Sequence, residues 1–300
     1  MTEDQHTQQD PMQQYPRPDQ QPEQELEHPG LESETQPEPD YGEDTYRGSG
    51  RLEGRVAIIT GGDSGIGRAV ALAFAREGAD VLISYLAEEE PDAQETAQVV
   101  EAAGKKAVKM SGDIGEEEQC RRLVEQAISE FGKLDILVNN AAYQMYREGL
   151  QSISAKELEH TYRTNIFSMF YLCKAALPHM QPGSSIINTC SVGAYQPQPM
   201  LLDYYASTKA AIVNFTKGLA MEVAQQGIRV NAVAPGPVWT PLIPATMPAE
   251  FVSQFGQQES PMGRAAQPAE LAPAYVFLAS QEASYVNGET IGVTGGTPLP

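Results

Sequence analysis

Seven short runs of apolar, often β-branched residues alternate along the chain with longer stretches whose apolar residues recur every three or four positions. The runs lie near 55–60, 80–85, 106–110, 134–139, 184–190, 228–234 and 290–294. Short continuous apolar runs are typical of strands buried on both faces of a parallel sheet, and the periodic stretches between them are typical of helices. The alternation predicts one α/β domain with a doubly wound sheet of seven parallel strands and helices on both faces.

Glycines and polar residues follow several of these strands. In such a sheet the ligands bind at the carboxyl ends of the strands, so these residues are candidates for a common site. They are Gly61 after the first strand, Asp113 after the third, Asn139 and Asn140 at the fourth, Ser191 after the fifth, and Pro235 and Gly236 after the sixth.

The first strand runs into the glycine turn 60–67, Thr-Gly-Gly-Asp-Ser-Gly-Ile-Gly, and an alanine-rich helix then continues to Gly78. Backbone N–H groups of such a turn and the positive end of the helix dipole bind the pyrophosphate of a dinucleotide. The spacing differs from the commoner Gly-x-Gly-x-x-Gly, and a purely structural turn is the alternative. The position after the first strand of a βαβ unit favours a dinucleotide site.

Tyr205 and Lys209 are four residues apart on a predicted helix, so their side chains share one face. A tyrosine hydroxyl titrates near pH 10, and a neighbouring cation favours its ionised form. The pair therefore predicts a proton donor whose pKa the lysine lowers. An ordinary amphipathic helix with a solvated lysine is the alternative for the pair alone.

Acidic residues dominate the first fifty positions. The chain carries a net charge of −20, and this segment holds 13 acidic and 2 basic residues among many Pro and Gln. Low hydrophobicity and high charge predict that residues 1–48 form a separate tail, largely disordered through about Asp40, and that residues 49–300 form the domain with the motifs. Residues 41–55 are expected to pack on the domain. A solubilising role and docking on a neighbouring subunit or partner both remain open for the tail.

Charge and composition exclude several functions. An acidic chain is repelled by nucleic acid and by anionic membranes. The chain has neither an 18-residue apolar run nor a signal-peptide pattern, which predicts a cytoplasmic protein. Its three cysteines and four histidines show no ligand spacing, so no catalytic metal is expected.

Five motifs occur in the order and spacing of one known family. They are Thr60 to Gly67, Asn139-Asn140-Ala141, Ser191, Tyr205-x-x-x-Lys209 and Pro235-Gly236. From about Arg51 to its end the chain resembles the classical short-chain dehydrogenases/reductases. The stretches 46–52, 62–68 and 267–273 resemble a bacterial subgroup of uncharacterised oxidoreductases with an N-terminal extension. The resemblance implies a Rossmann-like fold and hydride transfer between NAD or NADP and a carbonyl (aldehyde or ketone) or alcohol.

The same resemblance assigns four catalytic residues. Ser191 would hydrogen-bond the substrate oxygen, although a loop serine would look the same. Tyr205 would act as the acid and base, and Lys209 would lower its pKa and bind the nicotinamide ribose. Asn165 is a poor mid-helix residue on propensity, and in relatives its side chain and backbone help to hold a water next to the lysine.

The resemblance also implies a set of cofactor-binding residues. Asp113 would contact the adenine, with a turn-forming aspartate as the alternative. Thr240 would bind the nicotinamide carboxamide, with a helix N-cap as the alternative. Ala142 stands where the family usually has glycine. The full set is Gly61, Asp63, Ser64, Gly65, Ile66, Gly67, Ser84, Tyr85, Asp113, Ile114, Asn140, Ala141, Ala142, Tyr205, Lys209, Pro235, Gly236, Val238 and Thr240.

The choice between NAD and NADP stays open. An NAD enzyme usually has an acidic residue at the end of the second strand, and an NADP enzyme has a basic residue nearby. Ser84 and Tyr85 are neutral, and Arg68 lies too far into the helix. The acidic run 88–90 is expected to begin the next helix. The sequence therefore predicts dual or weak specificity for the two cofactors.

Residues 239–264 occupy the place of the family's variable lid. Together with Gln144, Met145, Tyr195 and Gln196 they predict a mixed polar and apolar pocket for a small or medium aldehyde, ketone, alcohol or sugar. Carrier-bound 3-oxoacyl groups are disfavoured because the chain lacks a basic surface for an acidic carrier.

Family members are commonly homotetramers built on long helices, here near 155–180 and 203–226. The apolar residues of these helices fit an interface or a monomer core, and they are Phe167, Phe170, Leu172, Ile212, Phe215 and Leu219. A dinucleotide-binding sensor or scaffold that acts through the acidic tail is the alternative function. The presence of all four catalytic residues argues against it.

Overall fold

The computed structural model describes residues 4–17, 21–196 and 202–300, and of 202–204 it describes the backbone alone. Seven parallel strands form one sheet in the order β3-β2-β1-β4-β5-β6-β7. The seven predicted strands are confirmed, each to within two residues. They are β1 (Val56–Thr60), β2 (Asp80–Tyr85), β3 (Ala107–Ser111), β4 (Ile136–Asn139), β5 (Ser185–Thr189), β6 (Arg229–Pro235) and β7 (Thr290–Val293).

Helices cover both faces of the sheet, as in a Rossmann-like α/β domain. Neighbouring strand residues point to opposite faces: Ile59 packs with the helices on one face, and Ile58 packs with those on the other. Both faces are buried, which explains the continuous apolar runs of the strands. The helices are α1 (Gly65–Arg76), α2 (Glu90–Ala102), α3 (Glu117–Phe131), α4 (Ala155–Tyr162), α5 (Ser168–Ala176), α6 (Leu202–Val223), α7 (Leu242–Thr246), α8 (Ala249–Val252) and α9 (Pro268–Ala279).

A π-helical turn, Arg163–Phe167, joins α4 to α5. The helix predicted near 155–180 is therefore present, but its hydrogen-bond ladder changes in the middle. Such turns leave backbone groups outside the regular ladder and occur often at functional sites. Asn165 lies on this turn.

Residues 21–48, named here the N-terminal arm, lie against the domain. The Leu26 N–H donates to the Pro244 carbonyl at 2.9 Å, and the indole N–H of the fully buried Trp239 donates to the Pro37 carbonyl at 2.7 Å. The structure thus differs from the predicted disorder through Asp40. Composition misses these contacts because the arm makes them with backbone groups, the Leu26 N–H and the Pro37 carbonyl, and not with its side chains.

A buried ion pair and its neighbouring hydrogen bonds fasten the end of the arm and the residues that follow it to the end of α1. Glu77 accepts hydrogen bonds from the Tyr46 hydroxyl at 2.7 Å, the Ser49 N–H at 2.8 Å and the Arg51 guanidinium at 2.6 Å. Its side chain is 0% exposed. Burial alone would raise the pKa of Glu77, but the bonds from Arg51 and Ser49 outweigh burial and lower the pKa to about 2.

Candidate active site

A cavity of about 310 Å³ opens at the carboxyl ends of the strands. Of the residues predicted to be catalytic or to bind the cofactor, Gly67 and Asn165 do not line it. Those that do are Gly61, Asp63, Ser64, Gly65, Ile66, Ser84, Tyr85, Asp113, Ile114, Asn140, Ala141, Ala142, Ser191, Tyr205, Lys209, Pro235, Gly236, Val238 and Thr240.

The glycine turn is packed so tightly that side chains would not fit. A Cβ on Gly67 would lie 1.7 Å from the Gly61 carbonyl oxygen, and one on Gly61, whose φ is +58°, would lie 3.1 Å from the backbone of Ala141. Asn140 fixes this arrangement, since its amide donates to the carbonyls of Thr60 and Gly61 at 3.2 and 3.1 Å. Bare backbone therefore faces the cavity, as a dinucleotide site requires.

Three polar side chains converge at the other end of the cavity. Tyr205 and Lys209 come from α6, and the Lys209 Nζ lies 5.3 Å from the centroid of the tyrosine ring. Ser191 follows β5, and its hydroxyl shares a hydrogen bond with that of Tyr205. Lys209 Nζ also donates to the Thr189 carbonyl at 3.0 Å, which anchors the ammonium beside β5.

Burial controls the titration of this pair. Burial, assisted by the neighbouring Cys190 thiol, raises the pKa of Tyr205, and the bond with Ser191 only partly opposes it. Burial lowers the pKa of Lys209 to about 8. The predicted lowering of the Tyr205 pKa by Lys209 is therefore not found. Burial disfavours the charged phenolate, and it is the largest influence on the pKa of Tyr205.

Asn165 does not reach Lys209 through its side chain. Its amide donates to the Tyr143 carbonyl at 2.9 Å and to the Thr208 hydroxyl at 3.1 Å, and its Oδ1 accepts from the Tyr143 N–H at 2.7 Å. The side chain thus joins the loop after β4 to α6. That Asn165 helps to hold a water next to the lysine stays a prediction.

Acidic residues surround the end of the cavity at β1, β2 and β3. Glu89 lines it, although the acidic run 88–90 was expected simply to begin the next helix. A 3₁₀ turn, Ala87–Glu89, precedes α2 and turns this side chain inward, and burial raises the pKa of Glu89 to about 7. Burial, and then the charge of Glu89, raise the pKa of Asp63 well above its ordinary range.

Asp113 and Thr240 are predicted cofactor contacts, and their alternatives are a turn-forming aspartate and a helix N-cap. Asp113 Oδ1 accepts from the Gly115 N–H at 2.7 Å, so this carboxylate shapes a turn and lines the cavity as well. Thr240 is not the N-cap of α7, which is Pro241. Its place in the cavity wall agrees with the cofactor role.

The N-terminal arm supplies residues that the sequence did not indicate. His28 and Pro29 line the cavity. The His28 ring packs edge-on against the Tyr143 ring, with 5.2 Å between the ring centroids. Glu32, 2% exposed, accepts a hydrogen bond from the Gly65 N–H at 2.6 Å. An arm carboxyl therefore takes one N–H group of the turn predicted to hold the pyrophosphate. No local pattern signals a contact between residues 33 positions apart.

The predicted lid 239–264 borders the cavity through several residues, among them Leu242, Met247 and Glu259. Gln144 and Gln196 line it as predicted, whereas Met145 and Tyr195 do not. The Gln144 amide donates to the Thr246 hydroxyl at 2.9 Å and so ties the loop after β4 to the lid. None of the helices in the described ranges combines the length and the apolar character that a bilayer crossing needs.

The parallel sheet, the bare glycine turn and the cleft across the strand ends define a dinucleotide-binding α/β protein with a Ser-Tyr-Lys cluster. Residues 61–298 match a family model described as enoyl-(acyl carrier protein) reductase. The chain belongs to the short-chain dehydrogenase/reductase family.

Curated relatives match nearly the whole chain. This chain is 55% identical over 277 residues to the uncharacterized oxidoreductase YhdF of Bacillus subtilis. The match covers 92% of this chain and 95% of the relative. The NADPH-dependent aldehyde reductase 1 of Arabidopsis thaliana is 49% identical, with 89% and 94% covered. The glucose and ribitol dehydrogenase of Daucus carota is 46% identical, with 92% and 96% covered.

Solved structures share the fold. A short-chain dehydrogenase from Burkholderia cenocepacia in complex with NADP has a TM-score of 0.77 and 31% identity, with 82% of this chain and 98% of the other covered. A 3-ketoacyl-(acyl-carrier-protein) reductase from Brucella melitensis complexed with NADH has a TM-score of 0.74 and 35% identity, with the same coverage. The family thus uses NAD or NADP, and the chain is an oxidoreductase of this family.

Proposed function

We propose that this oxidoreductase interconverts an aldehyde or ketone and the corresponding alcohol, with Tyr205 as the acid and base. The observation that carries the proposal is the convergence of Ser191, Tyr205 and Lys209 at one end of the cavity, with the bare glycine turn at the other. In enzyme nomenclature it would belong to the NAD(P)-dependent oxidoreductases that act on a CH–OH group.

The nicotinamide cofactor, when bound, supplies or accepts the hydride. Hydride addition builds negative charge on the carbonyl oxygen, so a catalyst needs a hydrogen-bond donor aimed at that oxygen and a proton source. The Ser191 hydroxyl is the donor, and the Tyr205 hydroxyl delivers the proton or removes it in the oxidative direction. The buried Lys209 ammonium holds positive charge beside the tyrosine, and Asn165 positions α6 against the loop after β4.

The substrate that we propose is a small or medium carbonyl compound or alcohol, with sugars included. The wall combines apolar lid residues such as Leu242 and Met247 with polar ones such as Gln144 and Gln196. One relative is named an aldehyde reductase, and another is named a glucose and ribitol dehydrogenase. The matching family model and one solved structure are named for reductases of acyl groups on a carrier protein. A substrate panel must therefore include an acyl thioester.

Replacement of Ser191 by alanine tests the donor. Hydride transfer is followed at the nicotinamide absorbance with aldehydes, ketones, sugars, alcohols and a 3-oxoacyl thioester, each with NAD(H) and NADP(H). Loss of one donor to the developing oxyanion is expected to lower kcat by about 10²- to 10³-fold. The control is Ser284→Ala at an exposed position, which is expected to leave kcat unchanged. Equal kcat for Ser191→Ala and the wild type would refute the donor role.

We propose a homotetramer as the assembly. Phe167 and Phe170 are 40% and 52% exposed on the helical segment that includes α5, and an apolar groove between α5 and α6 includes Phe215 and Leu219. Leu172 and Ile212 are buried in the core, so they are not available to an interface. Light scattering is expected to give a mass about four times 32.5 kDa. A monomer mass at micromolar concentration would contradict the assembly.

We also propose that residues 49–300 form the catalytic domain and that the N-terminal arm completes its cavity wall through His28 and Pro29. Cys120, Cys173 and Cys190 are buried and unpaired. Free thiols fit a reducing compartment, which supports the proposal of a cytoplasmic protein.

A further inference from the structure

Residues 24–36 of the N-terminal arm form a loop whose two ends are joined, named here the strap loop. The Gln36 N–H donates to the side-chain carbonyl of Gln24 at 3.0 Å, and the Gln24 amide donates to the Gln36 carbonyl. Surface loops with such closed ends are often functional. Within the arm, the cavity is lined by His28 and Pro29, and both belong to the strap loop.

The strap loop rests on the predicted lid at one side of the cavity. The Leu26 N–H donates to the Pro244 carbonyl of α7 at 2.9 Å. Gly30 is buried, and a Cβ at this position would lie 2.9 Å from the Ala245 Cβ and 2.9 Å from the Pro241 carbonyl oxygen. The loop and the lid therefore pack directly against each other, with no space for a further methyl group.

The same loop also contacts the opposite side of the cavity. The His28 ring packs against the Tyr143 ring, and the Tyr143 ring packs against the His160 ring of α4 with 4.5 Å between their centroids. Tyr143 follows β4, and both Tyr143 and His160 line the cavity. The strap loop thus connects the lid on one side of the cleft with the loop after β4 and α4 on the other.

Glu32 anchors the strap loop to the glycine turn. Its carboxyl group accepts hydrogen bonds from the Gly65 N–H at 2.6 Å and from the Tyr41 hydroxyl, and its own N–H donates to the Asp92 carboxylate at 3.1 Å. Glu32 is buried, whereas residues 24–29 are partly or fully exposed. Breaking hydrogen bonds between buried groups is costly, so Glu32 is the fixed end and residues 24–30 are the part that can lift.

We infer that the strap loop closes over a bound dinucleotide and must lift from the lid before the cofactor enters or leaves. His28 and Pro29 form the cavity wall only while the loop is closed, so a bound cofactor that touches them favours the closed loop. Opening of such loops commonly sets the rate of ligand exchange. The inference requires a nicotinamide dinucleotide as the ligand and depends on no particular substrate.

The rates of cofactor binding test the inference without a substrate. NADH or NADPH is mixed with the full-length protein by stopped flow, and nicotinamide fluorescence gives the association and dissociation rate constants. The wild type is compared with Gly30→Ala, which places a methyl group between the strap loop and the lid. Gly50→Ala is the matched control: φ is +80° at Gly50 and +84° at Gly30, but a Cβ at Gly50 meets nothing within 4 Å. Thermal melting shows whether each variant is folded.

Gly30→Ala is expected to raise both rate constants about tenfold, within the range that an overpacked contact costs. The Kd is expected to stay nearly unchanged, because the substitution weakens the closed loop in the free and the bound protein alike. Gly50→Ala keeps the wild-type rates. Unchanged rates in Gly30→Ala would overturn the inference. Faster dissociation with unchanged association would also overturn it, since the loop would then be a binding contact and not a gate.

Hydrogen exchange of the wild type is a second test that needs no variant. The Leu26 N–H is bonded to the lid only while the loop is closed, so it is expected to exchange more slowly when NADH or NADPH is bound. The N–H groups of Gln13 and Gln14, which are bonded to Asp10 outside the cavity wall, are the control. Equal exchange at Leu26 with and without cofactor would contradict closure. Closure without turnover of any substrate would count against the carbonyl reductase proposal and leave the strap loop standing.

Discussion

Tyr205→Phe is expected to lower kcat/KM for hydride transfer by about 10²- to 10⁴-fold, the range that a positioned general acid contributes. The substitution keeps the ring, whose centroid lies 5.3 Å from Lys209 Nζ, and removes only the hydroxyl that shares a hydrogen bond with Ser191. The cavity wall keeps its shape, so cofactor affinity is expected to stay within about threefold. Steady-state rates and cofactor titration measure the two quantities separately.

Tyr285→Phe is the matched control, because Tyr285 is fully exposed and lies outside the cavity wall. It is expected to leave both rate and affinity unchanged. Wild-type turnover by Tyr205→Phe would remove the tyrosine from the mechanism. A parallel loss of cofactor affinity would show that the hydroxyl supports the structure of the cleft instead of donating the proton.

Glu77→Gln is expected to lower the free energy of unfolding by about 3–5 kcal/mol, the usual effect of removing one partner from a buried ion pair. Glutamine has nearly the same size but replaces one acceptor oxygen with an NH₂ group. That group would face N–H donors from Ser49 and Arg51 and leave them unpaired. Chemical denaturation measures the change. Limited proteolysis is expected to cleave the N-terminal arm faster, because Glu77 fastens the chain that leads out of it.

Glu282→Gln serves as the control, since Glu282 also approaches Arg51, at 3.7 Å, but is 58% exposed. Such an exposed pair contributes at most about 1 kcal/mol. Equal effects of the two substitutions would contradict the dominant role of the buried pair.

The effect of Glu77→Gln also depends on pH. Folding lowers the pKa of Glu77 from 4.5 to about 2. Its contribution is therefore complete above about pH 4.5 and is lost as the pH falls toward 2, because protonation of the carboxylate then favours the unfolded chain. The difference in stability between the wild type and Glu77→Gln is expected to be constant from pH 7 to 5 and to shrink below that range.

The strands and the central motifs were predictable because their signals are local. A strand buried on both faces needs consecutive apolar residues, as at Ile58 and Ile59, and the run is visible without knowledge of its neighbours. The four-residue spacing of Tyr205 and Lys209 places them on one face of any helix. Each feature depends on backbone geometry within a few residues.

The electrostatics of the site were less predictable. The sequence places a cation near Tyr205, but whether it lowers the pKa depends on how far both groups are removed from water. In the structure burial is the larger effect, and it raises the pKa of Tyr205. Asn165 is similar: its poor helix propensity and the family resemblance indicated a polar role, while only the folded chain shows that Tyr143 and Thr208 use its side chain.

The sequence by itself determined the sheet, its helices, the glycine turn and the residue types available for hydride transfer, because short-range periodicity and backbone conformation encode them. Only the tertiary structure decided that Glu89 lines the cavity, that His28 of the N-terminal arm lines it as well, and that Glu32 of the arm accepts the Gly65 N–H of the glycine turn. These contacts join residues far apart in the chain. They depend on the packing of whole elements and on the desolvation of charges, which no local pattern records.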